Sequence, residues 1–435
     1  MTAGGFRTRA LPVLFGLITF IFGVFALGHA VVGHNQGKDY PLWYAVGREA
    51  LRGGDLYHAR SDGTFDFLYP PFAALLLAPF SLFGQVVSIL LLVIVNAASW
   101  WAAVKLSERL CGAPRPRTWL ARALPSAICL PFLWDMFDLG QPNLMLLAIV
   151  LAGLALLQAE KPIGAGAMFG AAAALKAFPA AILPYLIWRR RWRAAAATVL
   201  FASAFLLLAP APFRGFERNL GDVKTWINGM VLSANEKGFG QRPEQNWSWK
   251  NNSLIAVTHR FVRPVNFEGE DPSLAPVQVN FLNLSYGEAN VAVLAIAILI
   301  GLGFAAVLPS QERRTAASDG AEFAILIALM TIASPLARAY YFVWLLYPYT
   351  VLVYQAGLDP EPRTRRLTWG FIGLSVLLFT AGAPIAKPHW PQALGNMLWA
   401  CAVVIGALIW RMRASMTPLA GPQAAVKADA ASWST

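Results

Sequence analysis

Charge is scarce in this chain. Asp, Glu, Lys and Arg make up 13% of its 435 residues, against 57% hydrophobic residues. A soluble globular chain carries roughly 25% charged and about 45–50% apolar residues. The shortage excludes an ordinary soluble enzyme, and the apolar richness excludes disorder. Acid is scarcest: 23 Asp and Glu face 35 Lys and Arg, leaving a net charge of +12. On a soluble domain that excess would suggest nucleic acid. Here the arginines gather at the ends of apolar runs, so orientation in a membrane accounts for them and no nucleic-acid partner is expected. Only three cysteines occur, Cys111, Cys129 and Cys401, all in or beside apolar runs. They supply neither a disulfide framework nor metal-ligand spacing. The sequence has no Gly-rich phosphate loop of the Walker type, no soluble ATPase domain and no repeat that would argue for inverted transporter halves. No tight carboxylate or histidine cluster occurs either, so neither a metal nor another cofactor is expected.

What is present is apolar sequence, with a mean hydropathy of +0.52. Apolar runs recur from residue 11 to residue 411, which predicts one all-α polytopic membrane domain over residues 1–412. The first run, Leu11–Gly33, follows Arg7 and Arg9. It is longer than the roughly 7–15-residue core of a secretory signal peptide, so a retained first helix with its N-terminus inside is expected. Further runs lie at 86–108, 118–134, 142–158, 163–177, 178–188, 194–212, 290–308, 321–335, 341–356, 367–383 and 393–411. Together they predict about twelve spans. This topology puts Lys105, Arg109, Arg115, Arg117, Arg122, Lys161, Arg189–Arg191, Arg193, Arg313, Arg314, Arg363, Arg365, Arg366, Arg411 and Arg413 on one side, as the positive-inside rule requires. Residues 413–435 form a polar tail on that side, expected to be disordered.

Two stretches depart from simple spans. Tyr69–Gly84 is apolar but short and proline-rich, and a crossing there would place the arginines after residue 108 outside. A helix in the outer interface is expected instead. Residues 163–188 fit two short helices broken near Pro179, with Lys176 near the outer turn. Broken helices inside membranes usually line a cavity.

The polar mass then faces outward, in loops of about residues 34–85 and 213–289 and in short turns near 135–141, 336–340 and 384–392. In the first loop, Pro41–Leu51 is expected as a short amphipathic helix preceded by Asp39. A carboxylate near a membrane surface is partly desolvated and can serve as a base; capping the following helix is the alternative. Asp55 fits a turn, Asp62 and Asp66 fit solvated positions, and Tyr57 and Tyr69 fit interfacial anchors. Asp135, Asp138, Gln141 and Asn143 are expected at an outer turn, either as caps or as a polar cluster beside a cavity. Lys176 is a charge inside an apolar stretch, which either snorkels or faces a cavity. Lys176 or Arg338 could hold a phosphate, the first as a point charge and the second as a bidentate fork.

The large loop contains EQNWSWKNNSLIAVTHRF, dense in amides and indoles. Such side chains suit a sugar, whose hydroxyls need hydrogen bonds and whose C–H faces stack on rings. Interfacial anchoring is the other reading for Trp247 and Trp249. Asn246, Asn251 and Asn283 open Asn-x-Ser triplets, which alone say little about glycosylation. His259 is a candidate acid or base, or a structural histidine.

The ordered series of short motifs resembles glycosyltransferase family 87 of the GT-C superfamily. It runs D-Y at Asp39–Tyr40, G-R-x-x-L-x-G-G-D-x-Y from Gly47, Y-P-P-F from Tyr69, G-Q-P-N from Gly140, A-L-K-A-F-P from Ala174, R-R-R-W-R from Arg189, N-N-S-L from Asn251 and S-P at Ser334. The likeness covers about residues 10 to 350, while the last two spans match only in hydropathy. It implies a GT-C-like bundle that takes a sugar, mannose in the best-known members, from a polyprenyl-phosphate carrier on the outer side of the membrane. It implies that Asp39 is the general base. The family's amide-containing N-x-S-L segment falls on Asn251, Asn252, Ser253 and Leu254. Tyr40, Gln141, Asn143, Asn251, Asn252 and His259 are the candidate sugar or acceptor contacts. Many relatives carry histidines after the S-P segment where this chain has Tyr340 and Tyr341, so those roles do not transfer, and the two tyrosines stand as candidate sugar or acceptor contacts.

The expectation is thus an inverting hexosyl transfer to a lipid or glycan acceptor in a bacterial inner membrane. The donor phosphate would rest on Arg338 or Lys176 and its prenyl chain would lie among the helices near residues 69–84. A transporter or flippase of a lipid-linked sugar is the first alternative, and a non-catalytic scaffold of envelope assembly the second.

Overall fold

The computed structural model describes residues 3–32, 39–57, 67–116, 118–232, 243–381 and 387–416. Asp62, Asp66 and residues 417–435 of the expected tail lie outside them. Among the described residues every regular element is helical. That suits a bilayer, where each backbone group must find its partner within its own segment.

The chain opens with α1 (Ala3–Val31), followed by α2 (Tyr40–Arg52) and α3 (Pro71–Leu77). Then come α4 (Gln85–Leu110), α5 (Trp119–Ile128), α6 (Leu130–Leu139), α7 (Asn143–Gln158) and α8 (Pro162–Leu175). After a break, α9 (Ile182–Trp188) leads to α10 (Trp192–Ser203), α11 (Ala211–Arg214) and α12 (Phe216–Ile227). The large loop holds α13 (Pro243–Asn246) and α14 (Leu254–Val262). The remaining helices are α15 (Tyr286–Val307), α16 (Ala316–Ala333), α17 (Leu346–Leu358), α18 (Pro362–Thr380), α19 (Trp390–Ala393) and α20 (Asn396–Met416).

Among the described residues six stretches are long and apolar enough to cross a membrane: 10–29, 85–110, 192–214, 286–307, 316–333 and 396–413. A seventh arises if α5 and α6, bent by 55° at Cys129, form one span. The protein is a multi-pass membrane protein, and the six or seven candidate spans among the described residues do not confirm the twelve expected. The other apolar runs fold as shorter helices. At 16 residues α7 is about 24 Å long, short of the roughly 30 Å hydrocarbon thickness. Such helices are tolerated because they are packed inside the protein: Leu144, Leu147, Val150, Leu151 and Leu154 of α7 are all buried.

Two expected boundaries move. The run ending at residue 134 continues helically to Leu139, so Asp135 and Asp138 lie on the last turns of α6 instead of in a turn, and Asp138 pairs with His29 Nδ1 at 3.3 Å. Residues 163–188 do break, but the break begins at Lys176, with a 3-10 turn at Phe178–Ala181 before α9. Tyr57 and Tyr69 are not interfacial anchors. Tyr57 is buried and donates to the Tyr69 carbonyl at 2.7 Å, while Trp43 packs edge-on against the Tyr69 ring at 4.8 Å.

Interruptions of several helices meet at one place: the N-terminus of α2, the α6–α7 turn, the α8–α9 break and the α16–α17 connection. Helix α2 is fastened there by three bonds. Asp39 N donates to Leu139 O at 2.8 Å, Tyr40 OH to Phe137 O at 2.6 Å and Trp43 Nε1 to Gly140 O at 2.6 Å. Gly140 sits at φ +82°, and a Cβ there would come within 2.8 Å of the Tyr40 ring, so glycine is required twice over.

Close packing of α8 on α10 holds the Lys176 end in place. Gly166 and Gly170, four residues apart, let the backbones approach, as small residues do in membrane helix pairs. A Cβ on Gly166 would lie 2.4 Å from Ala197 Cβ and 2.8 Å from Thr198 N. We expect Gly166→Leu to cost about 1–3 kcal/mol through overpacking. Gly164→Ala, whose Cβ would meet Leu156 Cδ1 at 3.4 Å, should cost little. Thermal unfolding of detergent-solubilised variants measures both.

Candidate active site

The meeting helix ends enclose a cavity of about 180 Å³. Its walls include Asp39, Trp43, Tyr69, Gln141, Lys176, Trp226, Gln245, Ser334, Arg338, Tyr340 and Tyr341. A chain of hydrogen bonds crosses it. Lys176 Nζ donates to Tyr69 OH at 3.1 Å, Tyr69 OH donates to Gln141 Oε1 at 2.7 Å, and Gln141 Nε2 donates to the Asp39 carboxylate. Tyr69 and Gln141 thus stand between a cation and an acid that share one cavity. The Gln141 backbone is held in turn, because Asn96 Nδ2 donates to its main-chain carbonyl at 3.2 Å.

The Asp39 side chain makes no capping bond to α2, although the residue occupies the N-cap position. Its carboxylate meets Gln141 across the cavity instead, so the capping alternative does not describe this geometry. Lys176 also donates to Asn143 Oδ1 at 3.1 Å, and Asn143 Nδ2 donates to Tyr340 O at 3.3 Å. Tyr341 presents its ring face 4.1 Å from the ammonium, with Tyr69 at 4.8 Å and Tyr340 at 5.7 Å. Such faces attract a cation that has lost its water.

Arg338 completes the polar wall. Its Nη2 reaches Glu270 Oε1 at 3.1 Å, and Lys250 Nζ holds Glu270 Oε2 at 2.8 Å. Burial raises the pKa of the Glu270 carboxyl, but Arg338 and Lys250 outweigh it and hold the group below its ordinary value. The Nε of Arg338 is buried with no hydrogen-bond partner among the described residues. Arg338 also lines the cavity wall, where a guanidinium can meet an anionic oxygen.

The cavity therefore unites Asp39, Gln141, Lys176, Arg338, Tyr340 and Tyr341, with Asn143 bonded to Lys176 behind the wall. Other expected site residues stand elsewhere. Tyr40 is buried against Gly140 and the end of α6. Asn251 is a clamp: its Nδ2 donates to Asn246 O at 2.9 Å and Pro335 O at 3.0 Å, and its Oδ1 accepts from Ala337 N at 2.9 Å. Asn252 N donates to Ala337 O at 2.8 Å, so both asparagines hold the backbone before Arg338 and do not line the cavity. His259 is fully buried, stacked on Trp247 at 4.4 Å and bonded to Asn290 and Arg263, which removes it from the cavity. Trp249 stacks on His389 at 3.8 Å, away from the cavity.

Sequence reasoning did not single out Trp43, Trp226, Gln245, Ser334, Lys250 or Glu270 for the site, and it placed Tyr69 at the interface. Tyr69 had a usable signal, since the Y-P-P step stops a helix and frees its side chain for a cavity. Glu270 had none: its link to Arg338 spans 68 residues.

Among the described residues no group of three or more His, Cys, Asp or Glu is gathered that could hold a metal ion. The model of glycosyltransferase family 87 matches residues 67–337, more than half of the chain. The polyprenol-phosphate-mannose-dependent alpha-(1-2)-phosphatidylinositol pentamannoside mannosyltransferase of Mycolicibacterium smegmatis is 28% identical over 350 residues, covering 77% of this chain and 73% of that protein. The polyprenol-phosphate-mannose-dependent alpha-(1-2)-phosphatidylinositol mannoside mannosyltransferase of Mycobacterium tuberculosis is 26% identical over 442 residues, covering 93% of each. Among solved structures, ArnT from Cupriavidus metallidurans bound to undecaprenyl phosphate aligns over 94% of this chain and 77% of its own, at 13% identity and a TM-score of 0.40.

The burial of His259 has a measurable consequence. Desolvation, with Arg263 adding to it, lowers its pKa to about 4, so the folded protein keeps this histidine neutral. Unfolded, the group takes a proton below about pH 6.5. The unfolded state then binds more protons between those values, and stability is lost as pH falls from about 6.5 towards 4. His259→Gln should flatten that part of the melting-temperature profile and leave the pH dependence of activity near neutrality unchanged.

Proposed function

The chain belongs to glycosyltransferase family 87, and we propose that it transfers a hexose, most simply mannose, from a polyprenyl-phosphate carrier to a lipid or glycan acceptor. The relatives named above are transferases that use polyprenol-phosphate-mannose, which favours transfer over the transporter or flippase alternative. The observation that carries the mechanism is one cavity holding a carboxylate, Asp39, together with two cations, Lys176 and Arg338.

In this reading an acceptor hydroxyl gives its proton to Asp39 while its oxygen bonds to the anomeric carbon. The bond from that carbon to the phosphate oxygen breaks, and its electron pair leaves with the phosphate. Lys176 and Arg338 stabilise the charge that grows there. Gln141 orients the carboxylate by donating to it. A single carboxylate suffices for displacement with inversion, whereas retention by double displacement needs a second one as nucleophile. Tyr340 and Tyr341 pack against Lys176, which supports a part in shaping the donor site.

The cavity is assigned to the outer face of a bacterial inner membrane, with both termini cytoplasmic and residues 1–412 forming one domain. Helix polarity supports the orientation. Helix α16 runs from Thr315 to Ser334 at the cavity, and α9 runs from the cavity towards Arg189. Arg189 and Glu322 pair near that opposite end, Arg314 meets Asp319 at 2.7 Å, and Arg411 pairs with Asp359. The basic end thus lies a helix length from the cavity, and basic loops favour the cytoplasm.

The test is transfer from a panel of radiolabelled polyprenyl-phosphate sugars into membrane lipid and glycan. Asp39→Asn should lower turnover by about 10²–10⁴-fold with donor binding retained. Lys176→Gln should weaken donor binding and turnover together. Equal transfer by wild type and Asp39→Asn would remove the proposed base, and binding without any transfer would favour transport.

A further inference from the structure

Glu270 lies behind Arg338, and its place is fixed from several directions. Lys250 holds one carboxylate oxygen at 2.8 Å and Arg338 the other at 3.1 Å. Two residues earlier, Glu268 accepts from His389 N and Nδ1, each at 2.7 Å. The next residue, Asp271, pairs with Lys387, and its amide donates to Glu268 O at 2.9 Å. The Glu270 carboxylate is therefore a fixed negative charge beside a guanidinium that lines the cavity.

Fixed charge has unequal effects on the two phosphates that the reaction handles. The donor is a phosphodiester with one negative charge. The product is a phosphate monoester carrying about −1.5 to −2 near neutral pH. Two cations in a low-dielectric cavity hold the more highly charged species more strongly. Unopposed, they would retain the product and slow turnover, because release sets the rate in many enzymes. A carboxylate behind Arg338 repels the product more than the donor, in proportion to charge.

We infer that Glu270 is a positioning counterion which orients Arg338 and limits retention of the polyprenyl-phosphate product. This rests on the reading that Arg338 meets the carrier phosphate. Lys250 tunes the effect, because it shares the same carboxylate and neutralises part of it. Glu270 touches neither sugar nor carrier; it acts through Arg338.

The two partners make the inference testable by sign. Binding of a synthetic polyprenyl phosphate and of polyprenyl-phosphate mannose is measured on purified full-length protein, with thermal unfolding of each variant as a check on folding. Glu270→Gln should tighten the monoester roughly tenfold and the donor less. Its steady-state turnover should fall while its single-turnover transfer rate is kept. Lys250→Gln should act in the opposite direction and loosen the monoester, and Glu270→Asp should stay near wild type. A merely structural lesion loosens binding in both Gln variants. Unchanged or weaker monoester binding by Glu270→Gln overturns the inference. If that variant does not fold, Lys250→Gln is read against Lys250→Arg, which keeps the charge: loosening by Gln that Arg restores supports the inference, and tighter or unchanged binding by Lys250→Gln, or loosening that Arg does not restore, overturns it. Arg338→Gln separates the two levels of the argument. Weakened binding there with no change in Glu270→Gln leaves the site reading standing and removes Glu270. Unchanged binding there removes Arg338 from the carrier site, and the inference with it.

Discussion

A lysine ammonium set among apolar helices must find groups that replace its water, and the arrangement around Lys176 follows from that demand. Two oxygens and three tyrosine rings meet it, drawn from the 69–71 step, the start of α7 and the 338–341 turn. Each contributing segment is a helix end or interruption, because only there are polar side chains and free backbone groups available inside the bundle. The same chain of bonds reaches Asp39 through Gln141. The acid is thereby held in the cavity of the cation without neutralising it directly. In the proposed mechanism that separation matters, since a direct pair of Asp39 with Lys176 would bind the proposed base to the proposed phosphate site.

The second support comes from the large loop. Arg260 is fully buried and donates to Ser248 O at 2.7 Å, Asn251 O at 2.8 Å and Ala393 O at 2.8 Å. It gathers the loop that carries Asn251 onto the loop before α20. Asn251 in turn clamps Pro335 and Ala337, which sets the backbone that presents Arg338. The amide-rich N-N-S-L segment thus serves the site by holding its wall in shape. Ser253 caps α14 through Ala256 N at 3.0 Å, and so joins the same segment to a helix.

Much of this was legible in sequence. Scarce charge and recurrent apolar runs gave the all-helical membrane architecture, and a charge inside an apolar run identified Lys176. The likeness of short motifs pointed to Asp39, the outer-turn cluster to Gln141 and a basic helix end among aromatics to Arg338, and the three line one cavity. The number of full crossings was not legible, because hydropathy scores a buried short helix and a lipid-facing span alike. α15 and α16 show this: Ala289 alone is buried in α15 while most of α16 is buried, yet both score as spans. Amides and indoles in EQNWSWKNNSL resemble sugar ligands by type, but Asn251 pairs with backbone groups and Trp247 and Trp249 stack on two histidine rings. Pairings such as Arg338 with Glu270 depend on loop paths that no local pattern encodes.

The central claim is that carrier phosphate and attacking hydroxyl meet between Lys176, Arg338 and Asp39. The most direct measurement is an experimental structure of the protein with a non-transferable phosphonate analogue of polyprenyl-phosphate mannose. The account predicts phosphonate oxygens within hydrogen-bonding distance of Lys176 Nζ and the Arg338 guanidinium, with the anomeric carbon turned towards the Asp39 carboxylate. A phosphonate bound away from both cations, or a sugar with Asp39 on no approachable face, would contradict it.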